Sequence, residues 1–249
     1  MEVHKHPHHV THKKKWGEYL LEFFMLFLAV FLGFVAENVR EGVVEQHREK
    51  EYVISIYNDL KKDTISINDG INAFTSITNT EDSMLACLKI NPPEIGKLNR
   101  LISKDFWNFT GFSYNNKTIE QLKNSGNLRL IRNKIVLDSI LLYDNIMNAF
   151  VMQQYGDLKN AMFSYKNDES KVVNYSQLNQ TPLFDSIDLN KTINPSFISK
   201  NAETIANYYN KLFLHAALNR TFLRTLKRGK SKALLLLLLI KKEYHLQNE

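Results

Sequence analysis

From Tyr19 to Ala36 the chain reads YLLEFFMLFLAVFLGFVA, interrupted by a single charge, Glu22. A helix of that length rises about 27 Å, close to the thickness of a bilayer's hydrocarbon core. Residues 23–36 are apolar on every helical face, so in a water-soluble protein they would need partners around the whole circumference. The segment therefore predicts a transmembrane helix over residues 16–38, with the lipid bilayer as its first partner. Trp16 and Tyr19 mark the N-terminal edge, where amphipathic rings favour the headgroup zone, and Lys13, Lys14 and Lys15 lie just outside.

Cleavage as a signal peptide fits poorly. Glu22 splits the apolar run, and bulky Phe34 stands where cleavage at Ala36 would want a small residue. The expectation is an uncleaved signal anchor. The lysine triplet holds the N-terminus inside, which predicts a single-pass protein of a bacterial inner membrane with a periplasmic body. Glu22, one turn inside and next to Glu18 on the helix face, reads as an interfacial carboxylate. Ala29 and Gly33 have the small-xxx-small spacing that permits close helix approach.

The chain's net charge of +6 is unevenly placed. Residues 1–15 carry +3, residues 220–242 carry +8, and the rest carries −5. A nucleic-acid-binding domain spreads bases over its docking face, whereas basic ends beside a mildly acidic body suit an anionic membrane surface. No nucleic-acid partner is expected. Cys87 is the only cysteine, which excludes an internal disulfide and any zinc site built on cysteine pairs.

Beyond the membrane segment the pattern is helical, and the expected class is all-α. Val53, Tyr57, Leu60, Thr64, Ile67, Ile71, Phe74, Thr78, Glu81, Leu85 and Leu88 step by four and three, a coiled-coil-like stripe. The membrane helix thus continues as a stalk over residues 39–90, ending at Pro92–Pro93. The body occupies residues 39–249. Phe106, Trp107, Phe109, Phe112 and Tyr114 form an aromatic wedge expected to close one end of a helical bundle. Thr118 and Gln121 have capping-box spacing, and Ser125, Gly126 and Asn127 form the structural turn that ends this short helix, with Gly126 left-handed.

A second helix runs over residues 134–166, where Val136, Ile140, Tyr143, Met147 and Phe150 form a stripe that Leu158, Met162 and Tyr165 continue after a shift. Residues 167–200 read as a long connection. A last helix starts near Asn201 with Ile205, Tyr209, Leu212, Ala216, Leu223 and Leu226 on one side. Its leucine run at 233–240 is too short to cross a bilayer; it either packs into the bundle or rests on the membrane surface.

The layout resembles a family. A basic N-terminus precedes one span ending in AENVRE, then HREKEYVISIYNDLKKDT, then TIEQLKNSGNLRLIRNKIVLDSILLYD in mid-chain and IKKEYHL near the end. Together these resemble an uncharacterised single-span membrane protein family, a domain of unknown function known mainly from Bacteroidetes-type bacteria. The resemblance implies one span and a helical body, and no activity.

No Gly-rich phosphate loop, nucleophile elbow or H-E-x-x-H motif occurs. Cys87, on the apolar stripe, reads as a buried thiol rather than a nucleophile. His47 and His215 have no companions at ligand spacing. The remaining chemistry lies in the N-terminal tail, residues 1–15, where His4, His6, His8, His9 and His12 form a candidate metal-binding tract. No resident cofactor is expected. The functional expectation is a non-enzymatic, membrane-anchored interaction or structural module with a protein partner or self-association. The alternative is a ligand or metal sensor signalling through the stalk to the histidine tail.

Overall fold

The computed structural model describes residues 15–90, 93–105, 112–178 and 196–246. The protein is all-α. Its helices are α1 (Trp16–Lys89), α2 (Ile95–Asp105), α3 (Lys117–Asn124), α4 (Lys134–Asn145), α5 (Gln153–Val172) and α6 (Ala202–Glu243). No strand occurs among the described residues, and Val173 and Phe197 form one isolated antiparallel bridge. The chain divides into two units, residues 1–50 and 51–249, and α1 runs through both as one helix.

In the first unit α1 presents its apolar segment on all sides. Phe23, Leu26 and Phe31 are 66%, 69% and 53% exposed. None of the most apolar stretch is buried, and α1 is long and apolar enough to cross a bilayer. The rings of Phe23, Phe27 and Phe31 follow one another at 6.5 and 6.2 Å, the step expected of i, i+4 neighbours.

In the second unit, α1 and α6 run antiparallel. Going down α1, Glu81 meets His215, Asp82 meets Arg220, Gly70 approaches Leu226 and Asn68 meets Lys230, as the α6 numbers rise. The buried line of α1 is Val53, Ile56, Leu60, Asp63, Ile67, Gly70, Phe74, Ile77, Glu81, Met84 and Leu88. Its steps are three then four, so the seam passes through Ile56, Asp63 and Gly70, where the sequence stripe ran through Tyr57, Thr64 and Ile71, which are only half-buried. The cause is local. Asp63 belongs in the core because Tyr143 donates its hydroxyl proton to Oδ2 at 2.7 Å and the Asn115 amide donates to Oδ1 at 2.7 Å. Gly70 belongs there because its missing side chain leaves room for a ring: a Cβ would stand 3.2 Å from Phe112 Cδ2.

The larger core gathers this seam with α3, α4 and α6, around Ile67, Leu122, Ile140, Phe222 and Leu226. Each fully buried Leu or Ile contributes about 1.5–3 kcal/mol of hydrophobic stabilisation. Phe222 centres the aromatic packing, edge-on to Phe74 at 4.7 Å and to Phe112 at 6.2 Å. Phe112 and Tyr114 thus join the core, while Phe106, Trp107 and Phe109 of the expected wedge lie outside the described residues. A second core of Met84, Leu88, Leu98, Ile102, Tyr165, Val172, Tyr208 and Leu212 joins the end of α1 to α2, α5 and the start of α6.

Three local expectations change. The Thr118 capping box does not form: Asn116 is the N-cap without a side-chain bond, and Thr118 instead donates to Asp59 Oδ2 at 2.6 Å. The shift between the two stripes of the 134–166 helix is a π-helical turn at Ile146–Met152, which rotates the helix face so that Leu158 and Tyr165 return to the core. Helix α5 then continues to Val172, into the stretch read as a connection, because Asp168, Glu169 and Val172 are all buried there. The connection's residues 179–195 lie outside the described residues.

The turn after α3 rests on Gly126, whose φ of +69° is a left-handed conformation that costs residues with a Cβ about 1–2 kcal/mol. The chain then makes a 3₁₀ turn at Asn127–Leu130, and Asn133 caps α4 by accepting from the Ile135 and Val136 amides at 3.1 and 3.2 Å. Asn201 caps α6 in the same way, through the Glu203 and Thr204 amides.

A buried acid–histidine cluster as candidate functional site

The most chemically concentrated part of the described protein lies in the second core, where four helices bring ionisable groups together. Glu81 arrives from the seam of α1, Asp105 from the end of α2, and Tyr165, Lys166 and Glu169 from α5. Tyr208, His215 and Asn219 arrive from one face of α6, where spacings of seven and four keep them aligned. Glu81, Glu169 and Tyr208 are fully buried, and Asp105 and His215 are each 5% exposed.

The bonds form two linked groups. In the first, His215 Nδ1–H donates to Glu81 Oε1, and Asn219 Nδ2 donates to Glu81 Oε2 at 2.8 Å. In the second, Glu169 accepts from Tyr208 at 2.8 Å, from Tyr175 at 3.0 Å and from Lys166 at 3.2 Å. Asp105 bridges them: it accepts from the Tyr165 hydroxyl at 3.2 Å and lies 3.9 Å from Lys166 Nζ. The Tyr165 ring packs against the His215 ring at 4.8 Å.

Three carboxylates here share one lysine and one histidine. Burial, opposed by Lys166 and reinforced by the charges of Glu81 and Glu169, pushes the Asp105 carboxyl up to about 7. Burial also pushes the Tyr165 and Tyr208 hydroxyls well above their ordinary value, so both serve as neutral donors. The arrangement can therefore hold or release one proton near neutrality at Asp105. Glu81 and Glu169, sealed from solvent, orient their partners.

A second polar set ties α3 and α4 to α1. Lys123 bonds Asp144 at 2.5 Å and Glu120 at 3.3 Å, and Tyr114 donates to Asp144 at 3.4 Å. Burial, with Asp59 nearby, raises the Asp63 carboxyl despite its bonds to Asn115 and Tyr143.

The residues singled out in the sequence fall as follows. His4, His6, His8, His9 and His12 lie outside the described residues. Ser125, Gly126 and Asn127 form a turn, and Asn127 Nδ2 donates to the Tyr52 hydroxyl at 3.3 Å. Cys87 is fully buried, and burial raises its thiol above the ordinary range. Among the described residues no group of three or more His, Cys, Asp or Glu side chains is placed to hold a metal ion. The cluster itself escaped sequence reading because Glu81 and His215 lie 134 residues apart. The one available signal was Glu81 itself, an acid at a core position of an otherwise largely apolar stripe.

No protein-family model, curated protein or solved structure matches this chain.

Proposed function

We propose that this protein is a single-span, membrane-anchored helical module that works by holding a partner, without catalysing a reaction. Residues 16–38 cross the inner membrane with the N-terminus in the cytoplasm, and the body lies on the periplasmic side. The observation that carries this reading is the continuity of α1, one helix from the exposed apolar segment at its start to the seam of the body at its end. A chain built in this way ties a helical body to a membrane. The buried cluster supports the same reading, since its polar groups are spent on one another within the core.

Phe163 of α5 and Phe213 and Leu214 of α6 are 59%, 53% and 56% exposed, positions from which a partner can be reached. A photoreactive amino acid at Phe163, Phe213 or Leu214, activated in native membranes, is expected to give a discrete cross-linked product containing this chain. The absence of any product at all three positions would overturn the interaction reading.

A further inference from the structure

Helix α2 is held to the second core by few groups. Leu98 and Ile102 are fully buried there, packed with residues from the end of α1, from α5 and from the start of α6. Among the described residues, the only side-chain bonds from α2 to another helix are those of Asp105. Its Oδ2 accepts from the Tyr165 hydroxyl at 3.2 Å and lies 3.9 Å from Lys166 Nζ. Lys97 pairs with Glu94 just ahead of the helix, and Ser103 donates to the Asn99 carbonyl within it. Asn99 opposes docking. It is 6% exposed, and neither Oδ1 nor Nδ2 has a partner among the described residues, a cost that disappears when the amide returns to water.

The surroundings of Asp105 suit a carboxylic acid better than a carboxylate. From α1 it faces Glu81, and from α5 it faces Tyr165, Lys166 and Glu169. From α6 it faces Tyr208, with His215 against the Tyr165 ring. Its own helix adds Arg100 and Lys104, both exposed. Lys166 already bonds Glu169 at 3.2 Å and His215 already bonds Glu81, so an ionised Asp105 is a third carboxylate with no cation of its own. As the last residue of α2 it also stands at the negative end of the helix dipole, which disfavours a negative charge there. Burial, opposed by Lys166 and reinforced by Glu81 and Glu169, accordingly pushes the docked carboxyl up to about 7, against an ordinary 3.8.

We propose that α2 is a proton-operated latch: with Asp105 protonated it lies docked in the second core, and loss of that proton to water carries the carboxylate out and releases α2 while the larger core stays closed. The docked state binds the proton and the released state does not. Docking is therefore full on the acidic side and weakens as pH rises through the upper value, by about tenfold per pH unit beyond it. Among the described residues no member of α2 belongs to the larger core, so that core keeps its packing when α2 leaves. Release uncovers Leu98 and Ile102 on α2 and the Met84–Leu88 side of α1, an apolar surface sealed in the docked state.

Hydrogen exchange of the full chain in detergent micelles, read by peptide mass spectrometry, tests the latch. It is run at about pH 6 and about pH 8, either side of the upper value, with labelling times matched for the intrinsic pH dependence of exchange. The expected result is about a tenfold loss of protection in peptides covering α2 at the alkaline condition, with peptides of α4 unchanged. Asp105→Asn, which keeps an acceptor for Tyr165 and cannot ionise, should hold α2 protected at both. If that variant does not fold, Lys166→Gln takes its place. It leaves Asp105 intact and removes the cation that opposes its proton, so the loss of protection should move to higher pH. Equal protection of α2 at both conditions overturns the latch, as does a loss that α4 shares, which would be a change of global stability. A pH dependence that survives Asp105→Asn, or that moves to lower pH in Lys166→Gln, assigns the titration to another group and overturns it as well. The readout is confined to the body and does not depend on residues 16–38 crossing a bilayer.

Discussion

Glu81 and His215, 134 residues apart, meet between α1 and α6 in a core that excludes water, and Asn219 completes the carboxylate's bonding. Removing one partner of such a pair strands the other, which costs about 3–5 kcal/mol, whereas replacing both by apolar side chains costs much less. His215→Leu is therefore expected to lower the stability of the detergent-solubilised chain by roughly 3 kcal/mol. Glu81→Met with His215→Leu should lose clearly less than the two single changes added together. A double-mutant cycle of urea unfolding measures the coupling. Additive losses would mean that the two side chains do not act as a pair.

Asp105 makes stability depend on pH in a definite direction. Its carboxyl titrates near 3.8 in the unfolded chain and at about 7 in the fold, so the native state binds the extra proton between those values. Stability is then greatest at the acidic end of that window and falls as pH rises through it, by at most about 4 kcal/mol from this group. Asp105→Asn keeps an acceptor for Tyr165 and carries no charge. It should flatten the profile between pH 5 and 8, both being test conditions chosen about the upper value, and make the variant more stable than the parent at the alkaline end. Unfolding midpoints across that range decide it; a variant less stable than the parent at pH 8 would show that the Asp105 charge is better compensated than its burial implies.

Gly126 is required for its backbone alone. Nothing lies within 4 Å of where its Cβ would be, yet φ is +69°. Gly126→Val is expected to cost about 1–2 kcal/mol, and Gly126→Asn distinctly less, because Asn tolerates the left-handed region. Gly70 is the opposite case, a glycine of ordinary φ whose Cβ would crowd Phe112. Equal losses for Val and Asn at position 126, read from denaturation midpoints, would point to crowding there instead of conformation.

How far the sequence reveals this fold depends on which residues carry the pattern. The all-α class, the apolar start of α1, the Gly126 turn and the Asn201 cap follow from local rules that need no knowledge of partners. The seam of α1 does not, because apolar residues occupy two adjacent lines and hydropathy favours the line without Asp63 and Gly70. Those two are core residues only by virtue of Tyr143, Asn115 and Phe112, which are distant in sequence. Helix α5 runs beyond its apolar pattern for the same reason. Asp168 and Glu169 look like solvent-facing residues until Lys171 and Lys211 pair the first, and Lys166, Tyr175 and Tyr208 bond the second. The candidate cluster was hidden because, apart from Glu81 and Tyr165 on their stripes, its members are polar residues that only the tertiary structure places inside.

The central claim is that residues 16–38 sit in a bilayer, and alkaline carbonate extraction of membranes from cells making the full chain tests it most directly. Among the described residues nothing covers residues 23–36, and on the proposed reading lipid supplies that cover. The predicted result is that the chain sediments with the stripped membranes, and that Leu26→Asp with Phe27→Asp and Phe31→Asp shifts it to the soluble or aggregated fraction. Release of the unaltered chain into the carbonate supernatant would contradict the account and mean that a protein partner, not lipid, covers the start of α1.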